Sequence, residues 1–368
     1  MTENGKHIFI GLDGTWQAAF KDPFKSNVHR LNVALDNRDA NERKNPQIFI
    51  YSAGVGTFNR SSRLYAGATG EGINALILEA YINLASNYVP GDKIYILGFS
   101  RGAFAARALT GFISHAGLLK ADHLSHVEDA WIDFTDRKKA TKEYLSLKSG
   151  AVHANVRIEF LGVWDTVVGT FMKRHYLKRY HFDGLQPVKI INTTIHIMSA
   201  DDGRWDYKPI PFERRDGRVL EQIWMPGVHT DIGGGYNESF LSTMSLFVMI
   251  DKLKEYCPDL SFDTGYIQSV LIEALNTNEA IVNNERAGFW RWFGLSLTRR
   301  IENTRHHMKH PLIEMLGRIK EINYKGRSKV YAPSLTLTDG QDLPVTSFCE
   351  DSWYCRKVER LLRRKFGL

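Results

Sequence analysis

Cysteine is scarce in this sequence. There are three, Cys257, Cys349 and Cys355, among 368 residues. Their spacing matches no metal-binding pattern, and an odd, sparse set reads as reduced thiols in a chain that is cytoplasmic as synthesised. No run of about 18 apolar residues occurs, so no membrane-spanning helix is expected. The opening residues, MTENGKHIFIGLDG, lack the basic-then-apolar layout of a signal peptide and pass almost at once into a strand-like segment. There is no internal repeat and no low-complexity tract. No RNP-like, zinc-finger or helix-turn-helix signature accompanies the net charge of +7, so nucleic acid is not an expected partner. What remains is an ordinary globular composition, 43% hydrophobic and 24% charged. The length suits one large domain with insertions, or two domains.

Strand-like and helix-like patterns alternate through the first 250 or so residues. Apolar runs at His7–Leu12, Pro46–Tyr51, Ile94–Leu97, Val156–Val163, Thr193–Met198 and Leu220–Met225 read as buried strands. Between them, Ser26–Leu35, Ile73–Tyr88 and Ala103 to about Ala116 have helical spacing, and a further helix is expected from about Leu241 to Tyr256. This alternation predicts an α/β fold with a doubly wound, mostly parallel sheet over residues 1–258. From 259 to 368 the alternation fades into mainly helical patterns, with a short hairpin expected at Val330–Thr338 and a basic helix at Tyr354–Phe366.

The chemistry concentrates at Gly98-Phe99-Ser100-Arg101-Gly102, between the Ile94–Leu97 strand and an Ala-rich helix. Strand, G-x-S-x-G and helix in that order form the context of a nucleophile elbow, in which the serine stands on a sharp turn with its hydroxyl exposed. The helix behind it aims N–H groups at the same space, which favours a developing oxyanion. A serine hydroxyl is a weak nucleophile and needs a base, and the base needs a carboxylate to orient it. His229 lies just past the last predicted core strand, before a glycine-rich loop, and is the expected base. For the carboxylate, Asp201 follows the penultimate strand, the usual place, with Asp202 beside it. Asp165 follows the strand before that. Position favours Asp201 over Asp165. The turn Asp13-Gly14-Thr15 past the first strand reads either as a tight turn or as the second half of an oxyanion hole. In the second case the N–H groups near Gly14 and Thr15 act with that of Arg101.

These residues carry a family resemblance. Gly11-Leu12-Asp13-Gly14-Thr15-Trp16, Gly98–Ala103, Gly162-Val163-Trp164-Asp165-Thr166-Val167 and Pro226–Tyr236 occur in order over about residues 7–256. Together they resemble the uncharacterised α/β-hydrolase domain family that contains the type VI secretion phospholipase effectors of the Tle type. The resemblance implies an α/β-hydrolase core, a Ser–Asp–His triad, and esterase or phospholipase activity without a cofactor. It also implies a secretion-apparatus partner or an immunity protein, and export that needs no signal peptide. The family has a block resembling H-A-L-A-x-D-E-x-R. Here that block reads His196–Arg204, with Asp201 on the family's Asp, while Asp202 and Gly203 depart from the pattern.

Two other readings fit the same residues. One is a hydrolase-fold binding protein without turnover. The other is a metal-dependent hydrolase built from Asp13, Asp165, His229 and Asp231 along one sheet edge. In the C-terminal extension, Phe289, Trp290, Trp292 and Phe293 interleave with arginines, a pattern of a lid, of contact with a lipid surface, or of a helix packed on the core.

Overall fold

Along the first strand, β1 (His7–Leu12), every residue is buried. Its side chains alternate between two cores. Phe9 enters one hydrophobic cluster, while Ile8, Ile10 and Leu12 enter the other. A strand apolar on both faces belongs inside a sheet covered on both sides, and that is where β1 sits. In the computed structural model, described for residues 5–15, 17, 23–36, 46–54, 70–136, 139, 142–168, 179–180, 186–213, 217–276, 281–283, 299–301, 306–318, 322–324, 327–332, 335–337, 342–346, 360 and 363–364, β1 pairs with β2 (Gln47–Ser52) and β3 (Lys93–Phe99). The sheet continues through β4 (Ile158–Trp164), β5 (Ile191–Ser199) and β6 (Val219–Met225). Its order is β2-β1-β3-β4-β5-β6-β9, and every pairing is parallel.

The seventh strand, β9 (His307–Lys309), comes from the C-terminal region and pairs with β6. Sequence patterning ends the core at Met225, because three residues, HMK, carry no strand periodicity of their own. The backbone sets Gln222, Ile223 and Trp224 opposite His307, Met308 and Lys309, and the His307 ring adds contacts, its Nδ1 accepting from Trp224 Nε1 at 2.9 Å.

Parallel strands need crossovers, and helices supply them. On one face lie α2 (Gly70–Asn87), α3 (Arg101–Ala116) and α4 (Val127–Thr135), with α5 (Lys142–Ala151) beyond. On the other lie α1 (Asn27–Ala34), α7 (Phe240–Tyr256), α8 (Thr264–Asn276) and α9 (Pro311–Gly317), with the short helix α6 (His229–Gly233) between β6 and α7. Most of α3 is buried, in keeping with its run of alanines, which lets the helix lie close to the sheet. Each Leu, Ile or Phe in these two cores contributes about 1.5–3 kcal/mol by leaving water.

After residue 259 the described residues add short strands to the expected helices. A three-stranded sheet runs β11 (Arg327–Lys329), β10 (Ile322–Tyr324) and β7 (Ile281–Val282), and β12 (Leu335–Leu337) pairs in parallel with β8 (Arg299–Ile301). Among the described residues the antiparallel pairing in this region is that of β10 with β11, just ahead of the hairpin expected at Val330–Thr338. Among the described residues no helix is long and apolar enough to cross a membrane. Most of Tyr354–Phe366, and the aromatic stretch holding Phe289, Trp290, Trp292 and Phe293, lie outside the described residues.

Candidate active site

The carboxyl ends of β3, β4 and β6 converge on one point, and each delivers one polar side chain there. Ser100 stands between β3 and α3 with φ 59° and ψ −123°, a conformation that L-residues seldom adopt. Its backbone is held from several sides. Its N–H donates to Trp164 O at 3.0 Å, and its carbonyl accepts from Phe104 N at 3.2 Å. The turn is tight enough to exclude side chains at both flanking glycines. A Cβ at Gly98 would lie 2.6 Å from Gly102 O, and one at Gly102 would lie 2.2 Å from Leu12 O.

His229 opens α6, directly after β6, and its Nε2 lies 2.8 Å from Ser100 Oγ. The other ring nitrogen, Nδ1, lies 2.7 Å from Asp165 Oδ2. A carboxylate only accepts, so Nδ1 carries the proton and Nε2 is left to accept from the serine. The ring lies 4.8 Å from that of Phe99 and meets Tyr207 edge-on at 4.9 Å. Phe99 fits because its neighbours are glycines. A Cβ at Gly233 would fall 2.0 Å from the Phe99 ring, and one at Gly14 would fall 2.8 Å from it.

Asp165 is fully buried and follows β4 with φ 42°, in the left-handed region that Asp tolerates better than most residues. Its N–H donates to Ile197 O at 2.7 Å, which carries the chain across the end of β5. There Ser199 N and Ser199 Oγ each donate to its carboxylate at 2.9 Å. These bonds fix the carboxylate before it meets the imidazole.

Asp201, the carboxylate favoured from position, is placed elsewhere. It is equally buried, but its Oδ2 accepts from Gly227 N at 2.8 Å and from Tyr331 OH at 2.9 Å. Its own N–H donates to Gly227 O at 3.0 Å, so it faces the backbone leading to His229 and the ring faces Asp165. The physical reason is the pairing of β5 with β6. That pairing continues one step past the strand ends and turns Asp201 toward Gly227. Asp202 receives the Arg204 guanidinium, from Nε at 3.0 Å and from Nη2 at 2.6 Å, and also His229 N at 3.1 Å. Arg204 in turn lies 3.5 Å over the Tyr207 ring.

The remaining sequence-predicted residues surround the serine. Arg101 is the first residue of α3, where N–H groups have no acceptor within the helix. Gly14 N donates to Asp13 Oδ1 at 2.7 Å, so that donor is already engaged. Thr15 Oγ1 is buried without a hydrogen-bond partner among the described residues. Asp13 Oδ2 accepts from Ser26 Oγ and Tyr51 OH, both at 2.6 Å, and Asp231 accepts from Val228 N and from Asn283. Of the four groups in the metal reading, Asp165 and His229 therefore meet each other, while Asp13 and Asp231 have other engagements. Among the described residues no group of three His, Cys, Asp or Glu side chains is arranged to share a metal ion. Sequence reasoning did not single out Asn283, Tyr331 or Tyr207. None belongs to a motif, and each reaches the site only through the fold.

With this geometry in hand, comparison with family models shows the family. A model described as "T6SS, Phospholipase effector Tle1-like, catalytic domain" matches residues 6–252. The uncharacterized protein YEL023C of Saccharomyces cerevisiae is 29% identical over 235 residues, covering 57% of this chain and 33% of the yeast protein. Among solved structures, an uncharacterized protein from Pseudomonas aeruginosa aligns with a TM-score of 0.42 at 18% identity, over 73% of this chain and 48% of that one. The Tle1 effector bound to the VgrG spike of the type 6 secretion system aligns with a TM-score of 0.35 at 19% identity, over 64% of this chain and 52% of that one. The chain thus spans about a third of the yeast relative and about half of each solved chain.

Proposed function

The chain belongs to the type VI secretion Tle1-like phospholipase effector catalytic-domain family, and on that premise we propose that it is a serine hydrolase of carboxylic esters, with lipid esters as its substrate class. The observation that carries the proposal is the continuous relay from Ser100 Oγ through both nitrogens of His229 to Asp165, at 2.8 and 2.7 Å. Both distances lie within the range in which a proton moves along a hydrogen bond. Family membership is what supports a lipid ester over other acyl compounds, and a secretion apparatus as the partner in delivery.

The steps follow from the donor and acceptor at each atom. Ser100 Oγ attacks the acyl carbon while His229 Nε2 takes the hydroxyl proton. Asp165 holds the ring by Nδ1–H and stabilises the imidazolium that forms. The carbonyl π electrons move to oxygen, and the resulting oxyanion faces the N-terminus of α3, where Arg101 N–H is the first donor. The second donor comes from the turn after β1. With Gly14 N engaged by Asp13, Thr15 is the candidate there, because its buried hydroxyl has no partner among the described residues. The imidazolium then protonates the departing alcohol, leaving an acyl-serine. A water molecule, deprotonated by the same nitrogen, releases the acid and restores the serine.

Labelling with a fluorophosphonate, combined with turnover of a short-chain ester and of mixed phospholipid vesicles, tests this reading. Wild type is expected to label and to release fatty acid. Ser100→Ala is expected to lose labelling and to lower turnover by about 10⁴-fold or more, with an unchanged melting curve. Full turnover in that variant would overturn the assignment of Ser100. An unlabelled but folded wild type would move the chain to the class of hydrolase folds that bind without turnover.

A further inference from the structure

The backbone that delivers His229 is held by an unusual arrangement. Three consecutive N–H groups, those of Gly227, Val228 and His229, donate to three different carboxylates. Gly227 N meets Asp201 Oδ2 at 2.8 Å, Val228 N meets Asp231 Oδ2 at 3.0 Å, and His229 N meets Asp202 Oδ2 at 3.1 Å. All three carboxylates are at most 1% exposed. Gly227 itself sits at φ +121°, where no side chain restrains the loop, so its course depends on what its N–H groups bond.

A carboxylate fixes a loop only as well as it is itself fixed. Asp202 is held by Arg204, from the same turn. The other two are held from far along the chain. Asn283, immediately after β7, donates its backbone N–H to Asp231 Oδ2 at 3.1 Å and its side-chain amide to Asp231 Oδ1 at 2.7 Å. The Tyr331 hydroxyl donates to Asp201 Oδ2 at 2.9 Å, and the ring is 3% exposed within the core cluster that also contains Val228 and Ile232. Asn283 is set in place in its turn by the pairing of β7 with β10, Ile281 opposite Asn323 and Val282 opposite Tyr324. Both residues lie beyond position 252, where the family match ends.

We propose that Asn283 and Tyr331 are positioning residues for His229, so that the working catalytic unit extends past the family-matched core into the C-terminal region. The proposal rests on the hydrolase reading above. Tyr331 OH donates to the same Asp201 oxygen that accepts from Gly227 N, and Asn283 donates to both Asp231 oxygens, one of which accepts from Val228 N. Tyr331→Phe removes one donor from the oxygen that accepts from Gly227 N, and Asn283→Ala removes the amide donor to Asp231 Oδ1, so each carboxylate is fixed less firmly and the N–H it accepts is less well aligned. A displacement of about 1 Å at the imidazole is enough to cost a large part of the rate, because proton transfer from Ser100 needs the short contact to be formed. Both residues bond carboxylates rather than Ser100 or the His229 ring, so the effect expected is on the rate and not on KM.

The test uses the full chain with Tyr331→Phe, which removes one hydroxyl, and Asn283→Ala, at a partly exposed position where folding is less at risk. Three quantities are measured: the fraction of molecules labelled by a fluorophosphonate at completion, the rate constant of that labelling, and kcat and KM on a short-chain ester. The expected result is a 5- to 30-fold fall in the rate constant and in kcat for each variant, with KM within twofold and the labelled fraction unchanged. The double variant should fall by less than the product of the two, since both act through one loop. Unchanged rate constants in both variants would overturn the proposal. So would a smaller labelled fraction with an unchanged rate constant, because that marks a loss of folded molecules rather than of positioning. If wild type itself neither labels nor turns over ester, the hydrolase reading fails and this proposal fails with it. If wild type labels and the variants match it, this proposal alone fails.

Discussion

Two loops leave neighbouring strands of the same sheet edge, each carrying a fully buried aspartate, and they do different things. After β4, Asp165 enters the left-handed region, crosses the end of β5 and offers its carboxylate to the His229 ring. After β5, Asp201 stays in register with β6 and offers its carboxylate to the backbone at Gly227. Burial does not distinguish them, nor does the position past a strand end. What separates them is one backbone turn. The left-handed residue leaves the plane of its own strand and reaches the imidazole as well as Ser199, while the residue that continues the strand reaches the Gly227 main chain and the Tyr331 hydroxyl. A carboxylate aimed at an imidazole acts on its protonation, whereas one aimed at an N–H acts on its location.

The strongest way to break this comparison is to neutralise each aspartate in turn. Asp165→Asn should lower kcat by about 10³- to 10⁴-fold, since an amide at that place can donate to Nδ1 and so favours the wrong tautomer. Asp201→Asn should lower kcat by only about 10- to 50-fold, with KM unchanged, because the loop keeps its bonds to Asp202 and Asp231. Steady-state kinetics on one short-chain ester gives both numbers, and a reversed order would return Asp201 to the triad.

The smallest effect concerns the ground on which the Asp201 loop stands. Burial keeps three histidines at this edge neutral. His307 is pushed down from 6.5 to about 4, chiefly by burial and then by the neighbouring His306 charge. His310 is pushed down to about 3 by burial, and His196 well below its ordinary value by burial and then by Arg107. Between pH 6.5 and about 4 the unfolded chain binds protons that the native chain refuses, so stability falls as pH drops through that window. The melting temperature should decline by roughly 5 °C or more between pH 7 and pH 5. His310→Asn keeps an acceptor at the N-cap of α9, where His310 Nδ1 now receives Leu312 N at 3.1 Å, and removes the titration. Its decline, followed by calorimetry, should be shallower, and an identical slope would place the sensitivity elsewhere.

Much of this architecture can be read from the chain. The alternation of apolar runs with helical spacing gives the parallel sheet, because strands buried on both faces cannot hide their composition. The elbow is legible because its two glycines answer a steric need within five residues. His229 is legible by its place after β6. The carboxylate is less so, since Asp165, Asp201 and Asp202 all follow strand ends, and the choice depends on a backbone torsion that composition does not encode. Strand β9 is harder still. Three residues, HMK, pair with β6 by main chain and through the His307 ring, which Gln222 and Trp224 meet, and leave no pattern. Asn283 and Tyr331 are ordinary residues in segments without periodicity, and their meaning arises only when β7 and the following chain return to the loop before His229.

The glycines of the elbow carry one more consequence. At Gly98 and Gly102 main chain lies against main chain, with no room for a methyl group between. The separation between Ser100 and the turn after β1 is therefore a gauge made of bond lengths and atomic radii. No rotamer stands in it, so it has nothing that warms, repacks or drifts by small substitution. Variation in the space before Ser100 has to be written in the loops around that gauge, while the gauge itself is copied whole or lost.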